Sequence, residues 1–216
     1  MKIWCAGLAL VVVAGCGSPD ATPADTTAAQ DVAATASEYT AQLTALNAAT
    51  VGSETTGDVR ITVLGDSLTI RVNVRNAPPD MSHWQHYHGF ADGREAACPT
   101  SAQDANGDGI IDLIETEPVS GTTMVPFNAD PVKLDIPDES YPTAAADGSY
   151  SYEKTVSMSA LQAALGGAPL ALEKRVVFIH GVPDSMTLPG TVASLGPVPA
   201  QKTIPIACGS LDVVAP

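Results

Sequence analysis

The stretch DVRITVLGDSLTIRVNVRNAPP, residues 58–79, decides the fold class. Val59, Ile61 and Val63 alternate with polar residues, Gly65-Asp66 supplies a turn, and Leu68, Ile70, Val72 and Val74 resume the alternation. A period of two sends successive side chains to opposite faces of a strand, so the stretch predicts a β-hairpin with one face in a core and the other in water. The same reading predicts strands at YTAQLTAL (39–46), at GSYSYEKTVSM after the Asp147-Gly148 turn, at KRVVFIHGV (174–182) and at KTIPIACGSLDVV near the end. Only SALQAAL (159–165) reads as helix, ended by Gly166-Gly167. Many short strands joined by Gly and Pro turns indicate an all-β antiparallel sandwich or barrel with one short helix.

Outward from this region, the N-terminus carries Lys2 and then the apolar run LALVVVAG, which stops at Cys16. One basic residue, a short apolar segment and small residues before the cut describe a secretory signal, and the run is too short to span a bilayer. VVAGC resembles the lipobox of bacterial lipoproteins, which implies a signal peptide at 1–15 and a lipid on Cys16. Residues 16–36 are mostly Ala, Thr, Asp and Pro, too poor in large apolar side chains to offset their ordering entropy, and read as a tether. The expected organisation is an exported domain, 37–216, anchored by lipid to a bacterial membrane and facing the periplasm or the cell surface. Gly17 leaves the choice of membrane open.

Cys5 falls in the signal and Cys16 carries the lipid, which leaves Cys98 and Cys208. In an oxidising compartment such a remaining pair forms a disulfide, and closing a loop of this length contributes about 4 to 5 kcal/mol in the chain-entropy picture. Without Lys2 the chain has 9 basic and 24 acidic residues. That balance argues against nucleic acid and against docking on anionic lipid, so membrane contact is expected through the lipid only, and it suits a cation binder. The sequence names no protein partner.

Residues 104–115, DANGDGIIDLIE, match a calcium loop of the EF-hand type: Asp104, Asn106, Asp108, Asp112 and Glu115 stand at positions 1, 3, 5, 9 and 12. Gly109 takes the sharp turn at position 6 and Ile110 offers its carbonyl at position 7. The preceding CPTSAQ is a poor helix and Pro118 is expected to cut short the helix that follows, so the loop reads as a rigid structural Ca2+ site.

SHWQHYHGF (82–90) holds three of the four histidines. On a strand His86 and His88 share a face and Tyr87 points the other way, so the two imidazoles can reach one metal. His83 has the wrong parity, and His180 ends the apolar strand RVVFIHG. His86-x-His88 with the loop HYHGFADGREAACPTSA, then VVFIHG, then IACGSL, resembles the Cu/Zn superoxide dismutase superfamily. YTAQLTALNAATVGSETTGDVRITV ahead of the pair also resembles the related extracellular CHRD module; together the likeness spans most of 38–213. It implies an eight-stranded Greek-key barrel or sandwich, copper ligands at His86, His88 and His180, and a Cys98–Cys208 bridge. The chain departs from that family in having no histidine between His88 and His180, which removes the zinc site and puts the calcium loop in its place, and in having Pro205 where the family's active-site arginine stands.

Imidazoles suit Cu2+ or Zn2+, and three of them leave an open position, for which His83 is a candidate extra ligand. No catalytic residue is assigned. The reading is a calcium-stabilised, copper-binding, dismutase-like lipoprotein with at most weak redox activity. The alternative is a non-enzymatic CHRD-like module with structural histidines and contact surfaces such as DIPDES (135–140). No Gly-x-Ser-x-Gly elbow or His-Glu-x-x-His helix supports a hydrolase.

Overall fold

The computed structural model describes residues 35–214. The signal peptide, Cys16 and nearly all of the tether lie outside the described residues. Among these residues nine strands form: β1 (Ser37–Ala45), β2 (Thr56–Leu64), β3 (Ser67–Arg75), β4 (Gln85–Gly89), β5 (Thr122–Pro126), β6 (Tyr150–Ser157), β7 (Val176–His180), β8 (Pro205–Ser210) and β9 (Asp212–Val213). The predicted hairpin is β2–β3, with Ile61 opposite Ile70 and Val59 opposite Val72. Its turn uses Gly65 at φ +58°, a conformation that other residues adopt only with strain.

The hydrogen-bonded order is β5-β4-β7-β8-β1-β2-β3-β6, with β9 beside β1, and every pairing is antiparallel. β1 meets β8 only through its last residues, Thr44 and Ala45, while the rest of it follows β2. The path therefore divides at that point into two sheets whose inner faces make one core. Ile61, Ile70 and Val72 come from one sheet, and Tyr87, Val177, Ile179 and Ile206 from the other. After β5 the chain crosses to β6 and then returns to lay β7 beside β4, which is a Greek-key connection. The fold is the all-β antiparallel one expected from the alternation.

The expectation of a single helix needs correction. The predicted helix forms as α3 (Met158–Ala164), capped by Ser157, whose hydroxyl accepts from the Ala160 amide. Among the described residues three more short α-helices accompany it: α1 (Ala48–Val51), α2 (Leu113–Ser120) and α4 (Ala200–Thr203). Segments of one or two turns carry too little periodicity to be read, and they depend on caps and packing for stability. Nor does Pro118 end α2, which runs on to Ser120. A reciprocal cap holds its start, where Asp112 accepts from the amides of Ile114 and Glu115 and Glu115 accepts from that of Asp112. Its last turn is tied down by Ser120 Oγ donating to Ala97 O (2.8 Å) and by Ala97 N donating to Val119 O (2.9 Å).

β4 and β7 lie in the second sheet and are buried on both faces. Tyr87, Val177 and Ile179 enter the central core. On the outer face His86 stands opposite Phe178, and His88 opposite Val176. There Val176, Phe178, Ala96 and Cys208 form a second, smaller core, with Leu46, Phe90 and Cys98 packed against it. The loop after β4 is fastened over this face by the Cys98–Cys208 disulfide, Cα to Cα 5.8 Å, the pairing that both the cysteine arithmetic and the family resemblance anticipated. Arg175 fastens it again: its fully buried guanidinium donates to the carbonyls of Phe90 (3.1 Å), Pro169 (2.8 Å) and Leu170 (2.8 Å). Gly89 is required beside it, since a Cβ there would lie 2.4 Å from Arg175 Nη1.

Candidate metal centre

Strand parity carries His86 and His88 to the outer face of β4, and the neighbouring β7 ends at His180 on the same face. Each of the three can offer a nitrogen such that all lie within 4.8 Å of one another. Ring centroids are 4.8 Å apart for His86 and His88 and 4.5 Å apart for His86 and His180, with Phe178 4.6 Å from His88. A bulge between Ile179 and His180 breaks the ladder with β8, and the His180 amide donates to Trp84 O at 2.8 Å.

Carbonyl partners fix two of the tautomers, because a carbonyl can only accept. His88 Nδ1 donates to Gly121 O at 3.2 Å, and His180 Nδ1 donates to Thr203 O at 2.8 Å. In both rings the lone pair is left on Nε2, the arrangement in which a backbone carbonyl orients a metal-binding imidazole. Thr123 Oγ1 lies 3.2 Å from His88 Nε2 and 3.5 Å from His86 Nδ1. His180 Nε2 is buried and has no hydrogen-bond partner, an expensive state for a polar atom that a metal would relieve. Burial, followed by the neighbouring imidazoles, holds His86 well below the ordinary histidine range. Burial and then His180 bring His88 down to about 3, and burial brings His180 to about 4. All three are therefore neutral at physiological pH, the form that binds a cation.

His83 does not join this group. It is fully buried, with Nδ1 3.0 Å from His180 O and Nε2 2.8 Å from Pro78 O, and its ring stacks on Tyr150. Both nitrogens face backbone carbonyls, one of which accepts the ring's single N–H, and neither faces the other three imidazoles. Replacing His83 with Phe is expected to cost about 1 to 3 kcal/mol, because the buried carbonyl that accepts from the single N–H of the neutral ring loses its donor, while any metal uptake at the three-histidine group is unaffected. Chemical denaturation alongside metal analysis checks both halves, and loss of metal without loss of stability would make His83 a ligand after all.

The loop at 104–115 wraps its own amides. Asp104 accepts from the amides of Gly107, Asp108 and Gly109 at 2.8, 3.1 and 3.0 Å. Asn106 accepts from that of Asp108, and Asp108 from that of Ile110, both at 2.8 Å. Glu115 reaches back to the amides of Ala105 (2.8 Å) and Asn106 (3.3 Å). Gly109 has φ +83°, and Asp112, the buried helix cap, also accepts from the Ala193 amide at 2.6 Å. Among the described residues these carboxylates do not make a convergent group like that of the histidines.

A cavity of about 240 Å³ opens over the three imidazoles, walled by Trp84, Leu113, Ile136 and Leu195, with Glu117 beside it. Sequence reasoning missed this enclosure. Leu113 and Glu117 come from α2, which the Asp112-x-x-Glu115 cap could have announced; Leu195 comes from a loop with no local signal. Arg175 was likewise not anticipated, being an ordinary strand-flanking basic residue in the sequence.

No family model matches the sequence, and no curated protein matches it. Among solved structures the chain is similar to the Cu/Zn superoxide dismutase from Brucella abortus, with a TM-score of 0.38 and 19% identity, covering 80% of this chain and 98% of that one. On its own topology and side chains, the protein belongs to the class of Greek-key β proteins with a three-histidine candidate metal site.

Proposed function

We propose that the protein is an exported, lipid-anchored metal-binding domain of the superoxide dismutase-like kind, in which His86, His88 and His180 hold copper, zinc being the other metal this ligand set accepts. The observation that carries the proposal is the common focus of three neutral imidazoles, one with an unpartnered Nε2. Copper bound there would supply a couple between two oxidation states beside an open cavity. The chain's own contribution is to orient His88 and His180 through the carbonyls of Gly121 and Thr203 and to exclude water with apolar walls. The disulfide fits an oxidising compartment.

Fast dismutation also needs a positive potential to draw in superoxide. Pro205 stands where the family's arginine would be, and among the described residues the one charged side chain lining the cavity is Glu117. The activity assigned is therefore weak redox chemistry or copper holding. Metal analysis with copper electron paramagnetic resonance tests this: about one copper per chain with a nitrogen-rich spectrum, and slow superoxide turnover, are expected. If neither copper nor zinc is retained under metal-replete conditions, the non-enzymatic CHRD-like reading takes its place.

Residues 104–115 are proposed to hold a structural calcium ion, on the strength of ligand spacing, the positive φ of Gly109 and the amide-wrapped Asp104. Calcium at about 100 times its dissociation constant is expected to add about 2.7 kcal/mol of stability, and Asp104→Ala to abolish the gain. Thermal scans with calcium and with chelator read this out; identical midpoints would remove calcium from the account.

A further inference from the structure

We propose that Thr123 is the fourth donor of the three-histidine centre, its hydroxyl oxygen facing the same ion as His86, His88 and His180. The inference rests on the metal reading above and adds a ligand to it.

The strand pairing carries Thr123 to that position. β4 and β5 pair with His86 opposite Pro126 and Tyr87 opposite Val125; the register then slips, so that His88 faces Thr123 and not Met124. Met124 is the extra residue of a β-bulge, a device that re-aims side chains. It is buried with Val125 in the central core, and Thr123 is left beside the histidines. Without the slip Met124 would stand opposite His88, and the hydroxyl would turn to the other face of β5.

The hydrogen bonds carry the rest. Gly121 and Thr123 address both nitrogens of one ring: His88 Nδ1 donates to Gly121 O at 3.2 Å, and Thr123 Oγ1 lies 3.2 Å from Nε2. Since Nε2 carries only a lone pair, the hydroxyl is the donor in that contact, and it uses the lone pair that a metal would take. The same oxygen is 3.5 Å from His86 Nδ1. Donor atoms about 2.0 to 2.1 Å from one tetrahedral ion stand roughly 3.3 to 3.4 Å from each other. Thr123 Oγ1 therefore has the spacing of a fellow ligand toward both nitrogens. Once His88 Nε2 is engaged by an ion, the hydroxyl need only turn its proton about the Cβ–Oγ1 bond to present an oxygen lone pair instead. No fourth imidazole competes for the place, because no histidine lies between His88 and His180 and His83 faces backbone carbonyls. A neutral oxygen is a harder donor than imidazole, so it favours Cu2+ and Zn2+ over Cu+.

Three variants test this, each titrated in competition with a chelator of known affinity. Thr123→Val keeps the shape and removes the hydroxyl. It is expected to weaken Cu2+ and Zn2+ binding about tenfold, the lower end of what losing a group that supports a metal site costs, and to change Cu+ binding much less. Thr123→Ser should recover most of the loss. Thr123→Cys loaded with Co2+ should gain a sulfur-to-metal charge-transfer band in the near ultraviolet, because a thiolate at this position would bind the ion directly. A hydroxyl that merely caps His88 in the metal-free protein gives the opposite sign, since removing a competitor for the lone pair tightens metal binding. Unchanged or tighter Cu2+ binding in Thr123→Val, or a Thr123→Cys protein without the band, overturns the proposal and leaves the three-histidine site standing. Wild-type protein that retains neither copper nor zinc removes the metal reading and this inference together.

Discussion

Alanine in place of His180 is expected to lower copper or zinc affinity by more than about a hundredfold, beyond what removal of an orienting neighbour alone costs. His180 sits between the two other imidazoles and the Thr203 carbonyl, which aims its free Nε2 at the shared focus. Without it His86 and His88 remain as a two-nitrogen site on one strand. The stability of the metal-free protein should move much less. The substitution leaves Thr203 O without its donor but removes a buried nitrogen that has no partner, and these effects oppose one another. Competition titration against a chelator of known affinity, with the denaturation midpoint of the apoprotein measured in parallel, separates the two quantities. Unchanged affinity in His180→Ala and in His86→Ala would sink the assignment of the metal to this cluster.

Serine at both Cys98 and Cys208 is expected to destabilise the protein by about 2 to 5 kcal/mol. The bridge spans 110 residues of chain, so cutting it restores much freedom to the unfolded state. Cys208 is buried on β8, with β1 on one side and Phe178 of β7 on the other. Cys98 lies in the loop whose next residues lead to α2 and Gly121, so the bridge also steadies the carbonyl that orients His88. Reduction of the native protein should lower the denaturation midpoint to the same extent as the double substitution and weaken metal binding with it. Equal midpoints for the oxidised and reduced forms would show that Arg175 and the small outer core hold the loop without help.

Both effects depend on contacts that differ in how far they can be read from the sequence. The β2–β3 hairpin is local: alternation from Val59 to Val74 around Gly65 states its register outright. Parity within HYH is local too, and it put His86 and His88 on one face with Tyr87 in the core, where the structure has them. His180 offered less, since a histidine at a strand end has the same local pattern whether or not another strand brings partners to it. The likeness to a metalloprotein family supplied that link, and the pairing of β4 with β7 makes it physical. His83 shows the opposite case: three residues from His86, it is turned wholly into backbone contacts.

By itself, then, the sequence determined the strand class, the placement of the histidine pair on one face of its strand, the cysteines left to pair and the spacing of the acidic loop. These are consequences of periods and spacings within one segment. Only the tertiary structure decided that His180 completes a trio, that α2 runs past Pro118 to line a cavity, and that Glu117 and Leu195 face that cavity while Arg175 clamps the loop beside it. The physical reason is that such placements arise from chain closure over long separations, where the Greek-key return of β7 to β4, and not any neighbouring residue, sets which side chains meet.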